Sequence, residues 1–308
     1  FNDGYSSNPT YGEGACNTQS LPPYPDAPCE VFNKRVEEND SIGKFNLSYQ
    51  INDDAMVYGT WSEGYRPGGI NRRGTLDPYV SDYLTNWELG WKTRWADGRL
   101  TFNGAVFQQD WEDFQFAILG QNGLTEIKNA NQAEIRGLEA DISWAATYNL
   151  RLSGGIAIYD AKLSENYCGF TDADGNPETN CASPEAPSGT RLPITADFKG
   201  NLTARYTFDV GDYEAHVQGQ VRHEGKRSTD LRTAERGILG DLDAYTLFDI
   251  TAGFGRGNWA VDFYVRNVFD ERAQQSRFTQ CAEAVCGEQA YTVVARPRTF
   301  GVRFSQDF

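Results

Sequence analysis

The sequence predicts an all-β fold, a transmembrane antiparallel β-barrel with long loops at one end and short turns at the other. Three observations predict it. In Thr85–Trp95 (TNWELGWKTRW), Trp87, Leu89, Trp91, Thr93 and Trp95 alternate with Glu88, Gly90, Lys92 and Arg94. Period two is the signature of a strand, and three tryptophans opposite a row of charges suit a lipid face and a watery lumen. Turns of a few residues alternate regularly with longer polar loops, an asymmetry that sandwiches and propellers do not share. Finally, 18 Phe, 16 Tyr, 7 Trp and 31 Gly occur with no run near the ~20 apolar residues that a spanning helix needs.

Taken in order, Lys44–Ile51 alternates Phe45, Leu47, Tyr49 and Ile51 with polar partners and ends in the turn Asn52-Asp53-Asp54. A strand from Ala55 to about Tyr65 runs into the loop RPGGINRRG. After Thr85–Trp95 the turn Ala96-Asp97-Gly98 reverses the chain. Arg99 to about Gln115 returns with Leu100, Phe102 and Val106 on one side, and a short loop near Gly120–Gly123 follows. Glu134–Ala146 sets Leu138, Ala140, Ile142 and Trp144 against Glu139, Asp141 and Ser143.

Tyr148-Asn149 turns into Leu150, Leu152, Ile156 and Ile158, and a long loop spans about Leu163 to Leu192. The unit recurs as Leu202–Phe208, the turn Val210-Gly211-Asp212, and Tyr213–Val221. A polar loop (Ser228 to Asp241) precedes Phe248–Phe254, the turn Arg256-Gly257-Asn258 and Trp259–Val265. A last long loop leads to Pro297–Phe308, where Phe300, Val302, Phe304 and Phe308 alternate with Gly301, Arg303, Ser305 and Asp307. The count is about 11 strands, each near the ~9–11 tilted residues that cross a bilayer. Such a number leaves edges that hydrocarbon cannot satisfy, so further strands are expected to complete the barrel.

Composition bounds the partners. Lys plus Arg is 28 against 43 Asp plus Glu, a net charge of −15. That excludes nucleic acid, which needs a basic stripe. The six cysteines fall into three local pairs, Cys16 with Cys29, Cys168 with Cys181, and Cys281 with Cys286, each inside one Gly/Pro/Asp/Asn-rich segment. No Cys-x-x-Cys occurs and the two histidines, His216 and His223, lie elsewhere, so disulfides in an oxidising compartment are expected and a metal centre is not. His216 and His223 are an odd number of residues apart, which puts them on opposite strand faces, with His216 toward the lumen. No cofactor is expected. The chain opens at Phe1 on loop-like composition without a signal peptide, and it reads as a piece of a longer protein.

The terminal strand resembles the closing strand of outer-membrane barrels, with Phe300, Gly301, Phe304 and Phe308 as its assembly signal; Gln306 departs from that pattern. Together with YGTWSEGYRPGG (Tyr58–Gly69), WELGWK (Trp87–Lys92), RGLEAD (Arg136–Asp141) and RNVFDE (Arg266–Glu271), it makes the chain resemble the C-terminal half of a TonB-dependent outer-membrane receptor. The resemblance implies a barrel of about 22 strands. It implies that residues 1–35 are an external loop and 36–308 the second half of the barrel, with a plug and the first half upstream. The implied location is the outer membrane of a Gram-negative bacterium. The implied activity is energy-dependent, TonB-coupled uptake of a scarce nutrient, foremost a ferric siderophore, with cobalamin, haem or oligosaccharide as alternatives. A passive porin without a plug is the rival channel. An outer-membrane enzyme is not expected, since no Ser/His/Asp arrangement emerges. The implied partners are the plug and first barrel half, TonB through the plug, lipid and lipopolysaccharide, and an external ligand.

The candidate ligand-binding residues are Tyr65, Arg66, Asn71, Arg72 and Arg73 in one basic loop, and Trp111, Phe114 and Phe116 at an outer strand end. The arginines suit charge-assisted hydrogen bonds to an anionic chelate; they equally suit ion pairs with acidic loops or lipopolysaccharide. The aromatic trio suits either a vestibule lining or an interfacial girdle. Asp172, Asp174, Asn176 and Glu178 hint at Ca²⁺, although Gly175 falls at the wrong place for an EF-type loop. Glu88, Lys92, Arg94, Glu139, Asp141, Asp262 and Arg266 are the expected lumen charges.

Overall fold

The structure, a computed structural model, describes residues 35–71, 77–119, 125–171, 176–279 and 289–307, with the backbone of 5–6 and 29–30. One 11-stranded antiparallel sheet dominates it. Its strands are β1 (Lys44–Asn52), β2 (Ala55–Arg66), β3 (Asp82–Trp95), β4 (Leu100–Glu112), β5 (Gln132–Ala145), β6 (Leu150–Leu163), β7 (Phe198–Val210), β8 (Tyr213–Glu224), β9 (Tyr245–Arg256), β10 (Trp259–Arg266) and β11 (Thr299–Gln306). They pair in strict sequence order, a meander whose edges are β1 and β11. Tight turns at 53–54, 96–99, 146–149, 211–212 and 257–258 join one end, and every other connection is long. Positive φ at Ala96 and Asp97 and at Gly98, Gly211 and Gly257 closes three of these turns.

Register explains why this sheet has an oily and a wet face. Trp91 pairs with Val57 and Gly104, and Gly104 with Ala140, so one outward row crosses four strands. The outward residues are exposed although apolar: Leu89 is 60% exposed, Trp87 58% and Phe263 50%. A water-soluble protein would not leave such a belt open, whereas lipid covers it. The adjacent inward row runs Lys92, Asn103, Asp141, then Gly155, Asn201 and Arg222. The expected lumen charges Glu88, Lys92, Arg94, Glu139, Asp141, Asp262 and Arg266 all share this inward parity.

Gly301 shows why a strand residue with no side chain is needed at the closing edge. A Cβ there would lie 2.2 Å from Tyr264 Cζ and Oη, because the Tyr264 ring of β10 lies flat across it. Gly104 likewise seats the Trp91 ring, with a would-be Cβ at 2.3 Å. Phe300 and Phe304 point outward beside Gly301, and Phe308 lies outside the described residues. In the full-length protein, Gly301→Val is expected to cost about 1–3 kcal/mol by overpacking. Adding Tyr264→Ala should recover most of that loss in urea-refolding midpoints; losses that simply add would show that the ring does not fill the space.

Two expectations about the loops are corrected. The connection after β4 is long, spanning 113–131, because Asp113 at φ 50° breaks the strand. Gln115–Leu119 then pairs with Thr125–Asn129 as a separate ribbon. The loop after β8 carries a short helix, α1 (Thr233–Leu239). A second ribbon, Gln274–Phe278 with Tyr291–Val294, rises between β10 and β11.

Candidate functional site

The inward face of the sheet bounds an open cavity of about 1170 Å³, bordered at the long-loop end by the ribbon residues Gln275 and Val294. Its walls pair charges across strands. Tyr58 donates to Glu88 at 2.8 Å, Tyr159 to Glu139, Tyr245 to Glu224 at 2.6 Å, and Asn103 to Asp141 at 3.1 Å. Lys199 meets Glu224 at 3.3 Å and Arg222 meets Asp249 at 3.8 Å. Arg94 belongs to the turn end, pairing with Asp54 at 3.1 Å. The histidines separate as their spacing predicts. His216 faces inward, 3.4 Å from Asp262. His223 shares the outward row of Gly200 and contacts Thr246 Oγ1 at 2.8 Å.

At the long-loop end of β3, the structure gathers several of the sequence-predicted residues around one that sequence reasoning missed. Asp82 is 2% exposed at the outer end of β3. Its carboxylate accepts from Arg66 Nε and Nη2, from Trp111 Nε1 at 3.0 Å and from Gln115 N at 3.0 Å. Arg66 also donates to Gln115 O at 2.9 Å and lies over the Trp111 ring. It is therefore an ion-paired anchor between loops. Asn71 is buried and acts as a backbone substitute: Nδ2 donates to Asp77 O and Ile127 O, and Oδ1 accepts from Ile127 N. Gln115 and Asn129 repeat the device on Val80. Arg72 and Arg73 lie outside the described residues.

Tyr65 shares the parity of Trp61 on β2 and stacks on Tyr83, so its ring belongs to the outward face. That parity was readable from Trp61, four residues earlier. Trp111, Phe114 and Phe116 do come together. Phe114 packs between the other two and Phe116 meets Tyr167 edge-on at 5.0 Å. Phe114 is buried, in a cluster with Ala133, Leu163, Tyr167, Leu192 and Leu231. The trio thus forms an inward loop core under the 164–197 segment, not a lipid-facing girdle.

That segment is pinned by the disulfide Cys168–Cys181, Cα atoms 6.1 Å apart. The side chains of Cys16, Cys29, Cys281 and Cys286 lie outside the described residues, as do Asp172 and Asp174. Glu178 caps its own turn by accepting from Thr179 N and Asn180 N. Buried Arg232 bridges Asp230 and Glu235 beside α1. Burial raises the nearby Glu185 carboxyl, against the opposing pull of Arg232. The hydrogen bonds from Arg236, supported by Lys226, hold Asp241 down at about 2.

Comparison with known proteins places this geometry. The sequence matches the family described as "TonB dependent receptor-like, beta-barrel" over residues 3–268. It is 26% identical over 233 residues to the metal-pseudopaline receptor CntO of Pseudomonas aeruginosa, covering 74% of this chain and 29% of that protein. It is 24% identical over 202 residues to the ferric-pyoverdine 358 receptor of Pseudomonas putida, covering 60% and 23%. The fold superposes on the ferric yersiniabactin uptake receptor FyuA of Yersinia pestis with a TM-score of 0.68 at 21% identity, covering 87% of this chain and 37% of that one. The ferripyoverdine receptor of the outer membrane of Pseudomonas aeruginosa gives 0.61 at 18% identity, covering 90% and 34%. The chain therefore spans between about a quarter and three-tenths of the length of the curated relatives it matches.

Proposed function

The chain belongs to the TonB-dependent receptor-like β-barrel family, and from that premise we propose that it is part of the barrel wall of a receptor that imports a metal chelate. The family and fold are those of outer-membrane transport receptors. One observation carries the reading: an open sheet, oily outside and charged inside, bounds a cavity that the ribbon between β10 and β11 borders at the long-loop end. Edge strands β1 and β11 have no strand partner on their outer sides among the described residues, and lipid cannot satisfy their backbone. They pair with further strands of the same barrel. Residues 1–34, expected as an external loop, lie outside the described residues apart from the backbone of 5–6 and 29–30, and a plug fills the lumen against the charged wall. TonB acts through that plug, and the cargo is a ferric siderophore or a related metal chelate. Lipid covers the outward belt, with lipopolysaccharide at its outer rim.

Uptake of radiolabelled iron supplied as the host's own spent-medium chelate tests this. Cells carrying the full-length protein should accumulate label, and deleting either TonB or the receptor should reduce accumulation at least tenfold. Undiminished entry without TonB, with steady ion conduction in planar bilayers, would identify a passive channel instead.

A further inference from the structure

Resting on the membrane placement of the sheet, and independent of the cargo, we propose that the outer end of β4–β6 holds the phosphates of an outer-leaflet glycolipid through Arg136, Lys162 and Arg191. The facet lies within the sheet, away from the edges β1 and β11, on the face turned from the cavity. Register builds it. Val106, Leu138 and Ile158 form the last apolar row of the outward belt. The next outward row is Gln108, Arg136 and Asp160, and the one beyond it is Asp110, Glu134 and Lys162. Arg191 bridges to Lys162 and extends that row past β6. Trp144, Ile142, Ala140 and Leu138 face outward between the turn end of β5 and Arg136. That stretch rises roughly 23 Å at ~3.3 Å per residue and a tilt of ~40°, against an apolar band ~25 Å tall. Arg136 therefore stands where hydrocarbon gives way to lipid headgroups.

The cations are positioned without being locked. Arg136 Nε meets Glu134 at 3.0 Å, Lys162 Nζ meets Asp160 at 2.8 Å, and Arg191 pairs with Asp197. All three side chains stay open, 59%, 39% and 35% exposed, and ion pairs that water reaches are weak and exchangeable. The carboxylates thus fix where each cation stands while leaving it donors to give. A phosphate monoester offers more charge and more acceptor oxygens than a carboxylate. The arginine forks can take it bidentately, with Lys162 as a point charge between them. Beside an outward side chain at this height lies lipid, so less bulk water screens the contact. The arrangement is local to this part of the wall. On β8 and β9 the outward positions past Val221 and Phe248 are His223 and Thr246, which bond each other at 2.8 Å and add no lysine or arginine to the row.

The test is native mass spectrometry of the full-length protein in detergent, titrated with diphosphorylated lipid A and with the same lipid stripped of phosphate, EDTA being present throughout. The phosphorylated lipid should bind saturably and at least tenfold more tightly than the stripped one. The Arg136→Gln/Lys162→Gln/Arg191→Gln protein should lose at least tenfold in that affinity, whereas Arg136→Lys/Lys162→Arg/Arg191→Lys, which keeps the charges, should retain most of it. Arg256→Gln, which removes a cation paired with Asp212 at the turn end, should change nothing. Equal binding of the two lipids overturns the proposal, as does an unaltered affinity in the glutamine variant. Binding that needs divalent cations overturns it too, by assigning the lipid to the facet's carboxylates. Displacement by an equal concentration of inorganic phosphate would do the same, as would a second copy of the chain in place of lipid. TonB-dependent uptake from spent medium does not involve this wall, so the receptor reading and this site can fail separately.

Discussion

Leu89→Arg in the full-length barrel is expected to lower folding stability in lipid by about 2–4 kcal/mol, the cost of a cation at mid-bilayer on an outward face. Leu89 sits in the middle of β3 and is 60% exposed, so the substitution breaks no protein packing of consequence. Its whole penalty comes from solvent: hydrocarbon where water would have been harmless. Lys92→Arg, three residues on and on the inward row with Asn103, should shift stability by no more than a few tenths of a kcal/mol. Refolding into vesicles across a urea series reads both. If Arg at 89 were tolerated as well as Arg at 92, the apolar belt would not be facing lipid, and the membrane reading of this sheet would be lost.

The same alternation made the sheet legible in the sequence. A strand's side-chain period is local, so Trp87, Leu89 and Trp91 declare their face without reference to any distant residue. The tight turns are equally local, and three of them close through positive φ at Ala96, Asp97, Gly98, Gly211 and Gly257. What stayed hidden depends on pairings far apart in the chain. Nothing near Phe114 announces that it will be roofed by Tyr167 and Leu231, and nothing near Gln115–Leu119 names Thr125–Asn129 as its partner in place of the main sheet. The RNVFDE motif was legible as a family resemblance, but its physical content, an Asn267 amide bonded to both sides of a ribbon base, appears only when residue 296 returns to it. Arg66 was singled out for its charge. Its fate was decided by Asp82, whose burial no local pattern encodes.

Asp82→Ala is expected to destabilise the long-loop end of the molecule by about 3 kcal/mol, since it strips the acceptor from several donors at once and each buried unpaired group costs ~1–3 kcal/mol. Arg66 can recover some of its loss, because its side chain is half exposed and still reaches Gln115 O. Trp111 Nε1 and Gln115 N have no such escape: their acceptor is the 2%-exposed carboxylate itself. The damage should therefore be regional. The 67–81 and 113–131 loops hang from this point through Arg66, Gln115 and, one layer further, Asn71 and Asn129. The strands below keep their own ladders. Limited proteolysis of the full-length protein should show cleavage in these two loops rising at least tenfold, with strand amides in β5–β9 keeping their hydrogen-exchange protection. Asp82→Asn should fall between, retaining an acceptor oxygen but turning an amide donor toward the guanidinium. Unchanged loop protection in the Ala variant would mean that the loops are held by the Phe114 cluster alone.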